Sequence, residues 1–576
     1  MILRLFNETF WLYLIPVALL ALIALLPAQH YIHIFQLESY KRPQFFLRLK
    51  EDPAYQKRLQ KRCTVLWFVQ LGALALVVLL TAVVRSLPLG LVAGAVMVAI
   101  SLAGHLIPFL RDLRQPQKKP LKYTSRVIRL NVALALCAVL LQVVVYGLLI
   151  SVLISIKGPI VMTGGPCLGS LGIALAVFLL IVTLADLSFT YLPNLIAVAS
   201  VLVQPMEKAV QAWYLNDAKK KLAAMKDLLV VGITGSYGKT SAKVILATIL
   251  SEKYKTYATP ASYNTPMGLT RAIREQLDAS HQVFIAEMGA RHMGDIAELC
   301  RLVRPKYGLL TSVGPQHLET MFTIENITRT KYELIESLPP DGMGFLPSDN
   351  EICLELYKKT EKPKALFGFD GHGERLYMAA SGIEHGHLGS TFTLTGPDGQ
   401  SVRCTTKLLG KHNVQNILGC AAVAYALGLT MEEIARGIAK AQPVEHRLQL
   451  VPTANGITVI DDAFNSNPAG ARAALEVLGS FPGRKIIVTP GLVELGDAEE
   501  AENEAFGRAM APVVDIAILV ARNAAAMKKG LLEAGFPEDN LIVTGKLAEA
   551  TAALGHLTRV GDVVLFENDL PDHYET

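Results

Sequence analysis

Five long apolar runs crowd the first 205 residues of this 576-residue chain: Trp11–Ala28, Thr64–Val84, Pro88–Leu110, Leu130–Ile154 and Leu171–Val203. A helix needs about 20 apolar residues to cross ~30 Å of hydrocarbon. The runs therefore predict an α-helical transmembrane domain of about five spans over residues 1–205. A signal peptide is rejected for the first run, because no small-residue cleavage site follows it and more spans do. The charge agrees: this region holds 18 Lys and Arg against 6 Asp and Glu, and the remainder holds 37 against 44. The basic residues collect in two loops, from Lys41 to Arg62 and from Arg111 to Arg129. The positive-inside rule makes those loops cytoplasmic. The protein is thus expected to be multi-pass, with its N-terminus outside and everything after residue 205 in the cytosol. As one helix the fifth run would measure about 50 Å, so a single crossing kinked near Pro193 is expected. Asp186 within it reads equally as a functional intramembrane carboxylate or as a helix-end residue.

This distribution excludes a purely soluble enzyme and a disordered chain. It also argues against a nucleic-acid binder, since the positive charge sits between apolar runs and not on a folded basic face. Seven cysteines, an odd count without a C-x-x-C pair, argue against a disulfide framework or a Cys-rich zinc site.

The polar part opens with Leu228–Thr234, then Gly235-Ser236-Tyr237-Gly238-Lys239-Thr240-Ser241, then the helical pattern Val244–Leu250. Strand, glycine turn and helix make a phosphate cradle, in which backbone N–H groups and the helix N-terminus face an anion. Lys239 is expected on the β- and γ-phosphates and the Thr240 hydroxyl on Mg²⁺. The apolar run Val283–Ala286 ends in Glu287, and Tyr307–Val313 leads to His317. Ligands of a doubly wound sheet gather beyond the carboxyl ends of its strands, so both residues are candidates to complete the shell of Mg²⁺ ions.

At this point the residues resemble the ATP-dependent Mur ligases, the MurF type most closely, over roughly residues 228–576. The phosphate loop looks like the family's T-G-x-x-G-K-T. Glu287-Met288-Gly289-Ala290, His317, Gly410-Lys411-His412-Asn413-Val414-Gln415-Asn416, Glu445-His446-Arg447, Asp461–Pro468 and Glu494-Leu495-Gly496 resemble further motifs in family order. The resemblance implies a P-loop central domain over 206–445 and a smaller Rossmann-like C-terminal domain over 446–576, so that the fold class is transmembrane helices followed by α/β. It implies ATP and two Mg²⁺ ions as cofactors. Thr240, Glu287, His317 and Lys331 would hold the metal, Lys331 being a lysine that the family commonly carbamylates. Gly235 to Ser241, His412, Asn413, Asn416, Arg447 and Asp462 would bind the nucleotide. Lys239, Lys331, His317 and Arg447 would be catalytic, and Asn264, Thr265, Asn465 and Asn467 would meet substrate.

The implied chemistry passes a γ-phosphoryl group to a carboxylate, and an amine then displaces phosphate from the acyl phosphate. The implied partners are a peptidoglycan precursor, an amino acid or dipeptide amine and the lipid bilayer, with no nucleic acid, at a bacterial inner membrane. Membrane spans in place of the domain that grips the UDP-sugar suggest a lipid-linked muropeptide. The alternatives are D-Ala-D-Ala addition to UDP-MurNAc-tripeptide, a polyglutamate-type ligase and, remotely, an ATP-driven transporter. Two departures from the MurF pattern, the turn Thr489–Val493 and Asn503, leave the amine open. The acids from Glu567 to Asp572 read as a solvated tail.

Overall fold

The computed structural model describes residues 25–51, 53–78, 120–157 and 191–568, except 261–262, 316–317, 387–388, 452, 454–455, 464–466 and 494, with a few positions between 103 and 111. The chain falls into two units, one up to Gln211 and one from Ala212.

In the first unit, helices 25–37, Arg42–Glu51, Ala54–Val78 and Ser125–Lys157 pack with the opening of Leu192–Ala224. Ala28, Tyr31, Ile32 and Phe35 recur at the spacing of one helix face and are all buried. Phe35 meets Phe45 edge-on at 5.1 Å, and His30 stacks on Tyr55 at 3.6 Å. Polar ties hold the same helices: Arg129 Nε donates to Glu207 at 2.6 Å, and Gln29 Nε2 donates to Asn131 at 2.7 Å.

Among the described residues, no helix is long and apolar enough to cross a membrane. The expected transmembrane domain is corrected on that finding, and with it the fold class that began with five spans. The inner-membrane location, the outside N-terminus and the bilayer as a partner rest on the same spans and fall with them. The helices show how an apolar run can mislead. In Leu192–Ala224 the apolar stretch stops at Val203, and Pro205, Glu207 and Lys208 continue the same helix. Ala54–Val78 opens with Lys57, Arg58, Lys61 and Arg62. Most of the runs Trp11–Ala28 and Pro88–Leu110, and the part of the fifth that carries Asp186, lie outside the described residues.

The second unit is α/β. Strands β1 (Leu229–Thr234), β2 (Thr256–Ala258), β3 (Val283–Glu287), β4 (Tyr307–Leu310), β5 (Met343–Pro347), β6 (Lys364–Gly368), β7 (Met378–Gly386), β8 (Gly389–Thr395) and β9 (Ser401–Thr406) form one sheet. Their order is β2-β3-β1-β4-β5-β6-β7-β8-β9. β1 to β7 pair in parallel, and β8 and β9 add antiparallel. β1 and β3 are near-continuous apolar runs because helices cover both of their faces. Helices Lys239–Leu250 and Lys411–Ala426 bury Ile245, Ile249, Ile417 and Leu418 on one face. Leu269, Ile296, Leu299 and Leu334 fill the other.

The second sheet contains β10 (Gln449–Val451), β11 (Thr458–Asp462), β12 (Lys485–Thr489), β13 (Ile516–Val520), β14 (Leu541–Thr544) and β15 (Val563–Glu567). Its order is β10-β11-β15-β12-β13-β14, with only β10 antiparallel. The carboxyl ends of the parallel strands of each sheet share one edge, where a doubly wound sheet takes its ligands.

Candidate active site

β1 delivers the chain to Gly235, and the helix Lys239–Leu250 starts from Gly238 at φ 80°. That left-handed backbone suits glycine. A Cβ there would also come within 2.5 Å of the Asn416 amide oxygen. No side chain caps the helix and its first turn has no acid, so its leading N–H groups and positive end remain suited to an anion. The loop is tied to the segment after β4. Ser236 N–H donates to Ser312 O at 2.8 Å, Tyr237 N–H donates to Ser312 Oγ at 3.0 Å, and Ser236 Oγ donates to Gly314 O at 2.9 Å.

Lys239 folds onto its own loop, with Nζ donating to Gly235 O at 2.6 Å and Ser236 O at 2.9 Å. Burial pushes its amine down to about 7. The positive charges of Lys331 and Arg447 add to the shift and Glu287 opposes it. Lys331, buried on the helix Ile324–Glu336, is held at about 8, also by burial, against the pull of Asp295 and Glu333. Burial lowers the Arg447 guanidinium too, with Asp462 and Glu287 opposing. Lys331, Arg447 and Glu287 are thus each within electrostatic reach of Lys239.

Glu287 ends β3 and is 1% exposed. Thr240 Oγ1 donates to its Oε1 at 3.2 Å, and Asn264 Nδ2 donates to the same oxygen at 3.3 Å. On the other side Lys243 Nζ lies 2.9 Å from Oε2. A magnesium ion fits the donor chemistry here, because Thr240 and Glu287 Oε1 are hard oxygens next to a phosphate loop. Among the described residues, no group of three or more His, Cys, Asp or Glu side chains gathers to hold a metal. His317 lies outside those residues, as does Asn465.

The remaining expected residues sort as follows. Asn416 packs against Gly238, and Asn413, buried beside it, donates from Nδ2 to Leu409 O at 2.8 Å. His412 packs against Gly410, where a Cβ would come within 2.8 Å of its ring. Thr265 caps the helix Pro266–Glu275 by accepting from Gly268 N–H at 3.2 Å. Asn467 caps Pro468–Gly479 by accepting from Ala469 and Gly470 N–H. Arg447 sits between His446 at φ 60° and Leu448 at φ 44°. Leu448 N–H donates to Asp462 Oδ1 at 3.0 Å, and His446 Nδ1 lies 2.7 Å from Asp461.

Three features escape the sequence reading. Lys243 lies four residues beyond Lys239, a helical spacing that could have revealed it. Glu567 is fully buried, not part of a solvated tail. It stands opposite Asp462 in the β11–β15 register and hydrogen-bonds to it. Burial raises the Asp462 carboxyl, and its hydrogen bonds and Arg447 oppose the rise. Three asparagines brace the turn Thr489–Val493. Asn503 accepts from Leu492 N–H at 2.8 Å and donates to Leu492 O at 2.9 Å, Asn523 donates to Leu492 O at 2.7 Å, and Asn568 donates to Gly491 O at 2.6 Å.

A phosphate loop on a parallel sheet, facing a buried carboxylate and several cations, defines a P-loop nucleotide-binding protein with a second α/β domain. Two family models match in chain order: the Mur ligase middle domain over residues 233–424 and the Mur ligase glutamate ligase domain over 446–567. The chain is 33% identical over 365 residues to the UDP-N-acetylmuramoyl-tripeptide–D-alanyl-D-alanine ligase of Mycobacterium bovis, covering 59% of this chain and 70% of that one. Against the enzyme of the same name from Escherichia coli it is 30% identical over 280 residues, 49% of this chain and 61% of that one. Among solved structures, MurF from Acinetobacter baumannii matches at 28% identity and a TM-score of 0.56, over 62% of this chain and 77% of that one. MurF ligase from Thermotoga maritima in complex with ADP matches at 25% and 0.56, over 62% and 80%. The chain belongs to the Mur ligase family, whose members are ATP-dependent, ADP-forming ligases that use Mg²⁺.

Proposed function

We propose that the chain is a MurF-type amide ligase that adds D-Ala-D-Ala to UDP-MurNAc-tripeptide through an acyl phosphate. The names of its relatives supply the two substrates. The observation that carries the reading is the buried Glu287 carboxylate shared by Thr240 and Asn264 at the mouth of the phosphate loop. A lipid-linked muropeptide is expected only from membrane spans, which no described helix provides, so the nucleotide-linked substrate is the one proposed.

Carboxylate and amine do not condense unaided in water, because hydroxide would have to leave. A carboxylate oxygen therefore attacks the γ-phosphorus and ADP departs. The amine nitrogen then attacks the acyl carbon, loses a proton, and phosphate leaves. Lys239 exchanges its loop carbonyls for phosphate oxygens and neutralises their charge. Arg447, two residues before β10 and within electrostatic reach of Lys239 and Glu287, would add a further positive charge. Thr240 and Glu287 would hold a magnesium ion, and Lys331 as a carbamate, with His317, would hold a second; the metal would supply further charge neutralisation on the phosphates. Burial holds the Lys331 amine below the ordinary lysine range, which favours the neutral form that a carbamate with CO₂ would require.

The test is ADP release by the full chain with UDP-MurNAc-tripeptide and D-Ala-D-Ala. Turnover that needs both substrates supports the proposal. Turnover only with lipid-linked muropeptide, or only with another amine such as glutamate, overturns that part of it.

A further inference from the structure

Lys243 belongs to no phosphate-loop motif, yet it makes an ion pair with Glu287 deep in the molecule, with side chains only 4% and 2% exposed. We propose that Lys243 is a positioning residue that holds one oxygen of Glu287 and so leaves the other, Oε1, as a single donor beside Thr240. The inference rests on Glu287 being a magnesium donor.

The geometry builds this from the helix upward. Thr240 and Lys243 are three residues apart on Lys239–Leu250, so they share the face turned to the end of β3. Their side chains take opposite oxygens of one carboxylate, Thr240 at Oε1 and Lys243 at Oε2. A buried carboxylate without a cation is costly. A resident positive charge at Oε2 also weakens the pull of Glu287 on a divalent cation, which sets how much magnesium half-fills the site.

The experiment is a magnesium titration of the ADP-induced thermal shift in the full chain, with ADP release measured in parallel. In Lys243→Met, the magnesium concentration at half-effect should fall about tenfold, because a full charge has been removed from a buried site. Turnover should fall while KM for ATP changes little. Lys243→Arg, which keeps the charge, should stay near the parent in its magnesium half-point. A Lys243→Met protein with a lower Tm but the parent's half-point overturns the inference and leaves the residue a structural one. If Lys243→Met does not fold, Lys243→Gln decides in the same way. Glu287→Gln separates the two readings. If it leaves the half-point at the parent's value, the metal role of Glu287 fails. If it moves the half-point and Lys243→Met does not, only the role of Lys243 fails.

Discussion

The two sheets of the second unit bury opposite chemistry at corresponding ends. The nine-stranded sheet sets Lys243 against the Glu287 carboxylate and brings Lys239 within electrostatic reach of both Glu287 and Lys331. The six-stranded sheet sets the carboxyls of Asp462 and Glu567 side by side and surrounds the turn after β12 with asparagine amides. One edge suits a polyanion, and the other suits neutral or cationic groups. In the proposed reaction an acyl phosphate meets an amine, which would put the phosphates at the first edge and the nucleophile at the second.

The strongest way to break that assignment is Lys239→Ala. Loss of a part-buried cation proposed to meet the phosphates should cut ADP release by about 10³-fold or more, which is ~4 kcal/mol of transition-state stabilisation. A variant as active as the parent would remove the phosphates from the first edge. Next in size is Asn503→Ala in the second sheet. Asn503 is fully buried and hydrogen-bonds the backbone of Leu492 and Glu499. Its loss should lower unfolding stability by about 2–4 kcal/mol in denaturant titration, since buried backbone groups lose their partners. ATP binding, a property of the other sheet, should change little.

The comparison also predicts opposite pH slopes. Lys239 titrates near 7 in the folded protein against 10.5 unfolded. Between those values the unfolded chain binds the extra proton, so this lysine makes stability rise with pH. The Asp462 carboxyl is raised above 3.8. Between 3.8 and its folded value the native state binds the extra proton, so stability falls as pH rises there. Lys239→Met should flatten the alkaline rise and Asp462→Asn the acidic fall, each by at most about 1.4 kcal/mol per pH unit. Melting curves of the nucleotide-free protein across pH 4–10 check both. The smallest effect belongs to Asn467→Ala, which removes a helix cap in the second domain and should cost about 1 kcal/mol. A loss of turnover much larger than that stability change would restore a substrate role to Asn467.

The sequence made the first edge largely readable. A strand, a glycine turn and a lysine–threonine pair leave few alternatives, and a carboxylate ending an apolar strand points to the same edge. Lys243 escaped because a buried lysine is identified by its partner, and the partner lies 44 residues away on another strand. The asparagine bracing of Leu492 escaped for the same reason: amide contacts with backbone depend on which loops the sheet order brings together. The apolar runs were misread because hydrophobicity does not say what will cover it. Within the runs, Leu130, Leu134, Ile196 and Ala199 are buried against Tyr31, Phe35 and Leu59, while Leu136, Leu140 and Val201 stay exposed.

Lys239 already donates two hydrogen bonds, to Gly235 O and Ser236 O. A nucleotide that recruits it must trade two carbonyl acceptors for phosphate oxygens, and the released carbonyls must find new donors. Discrimination then follows from strength of contact: a diphosphate or triphosphate repays that exchange, and a single weak anion does not. In the proposed role the lysine would act as a threshold against stray anions, built from the loop's own backbone.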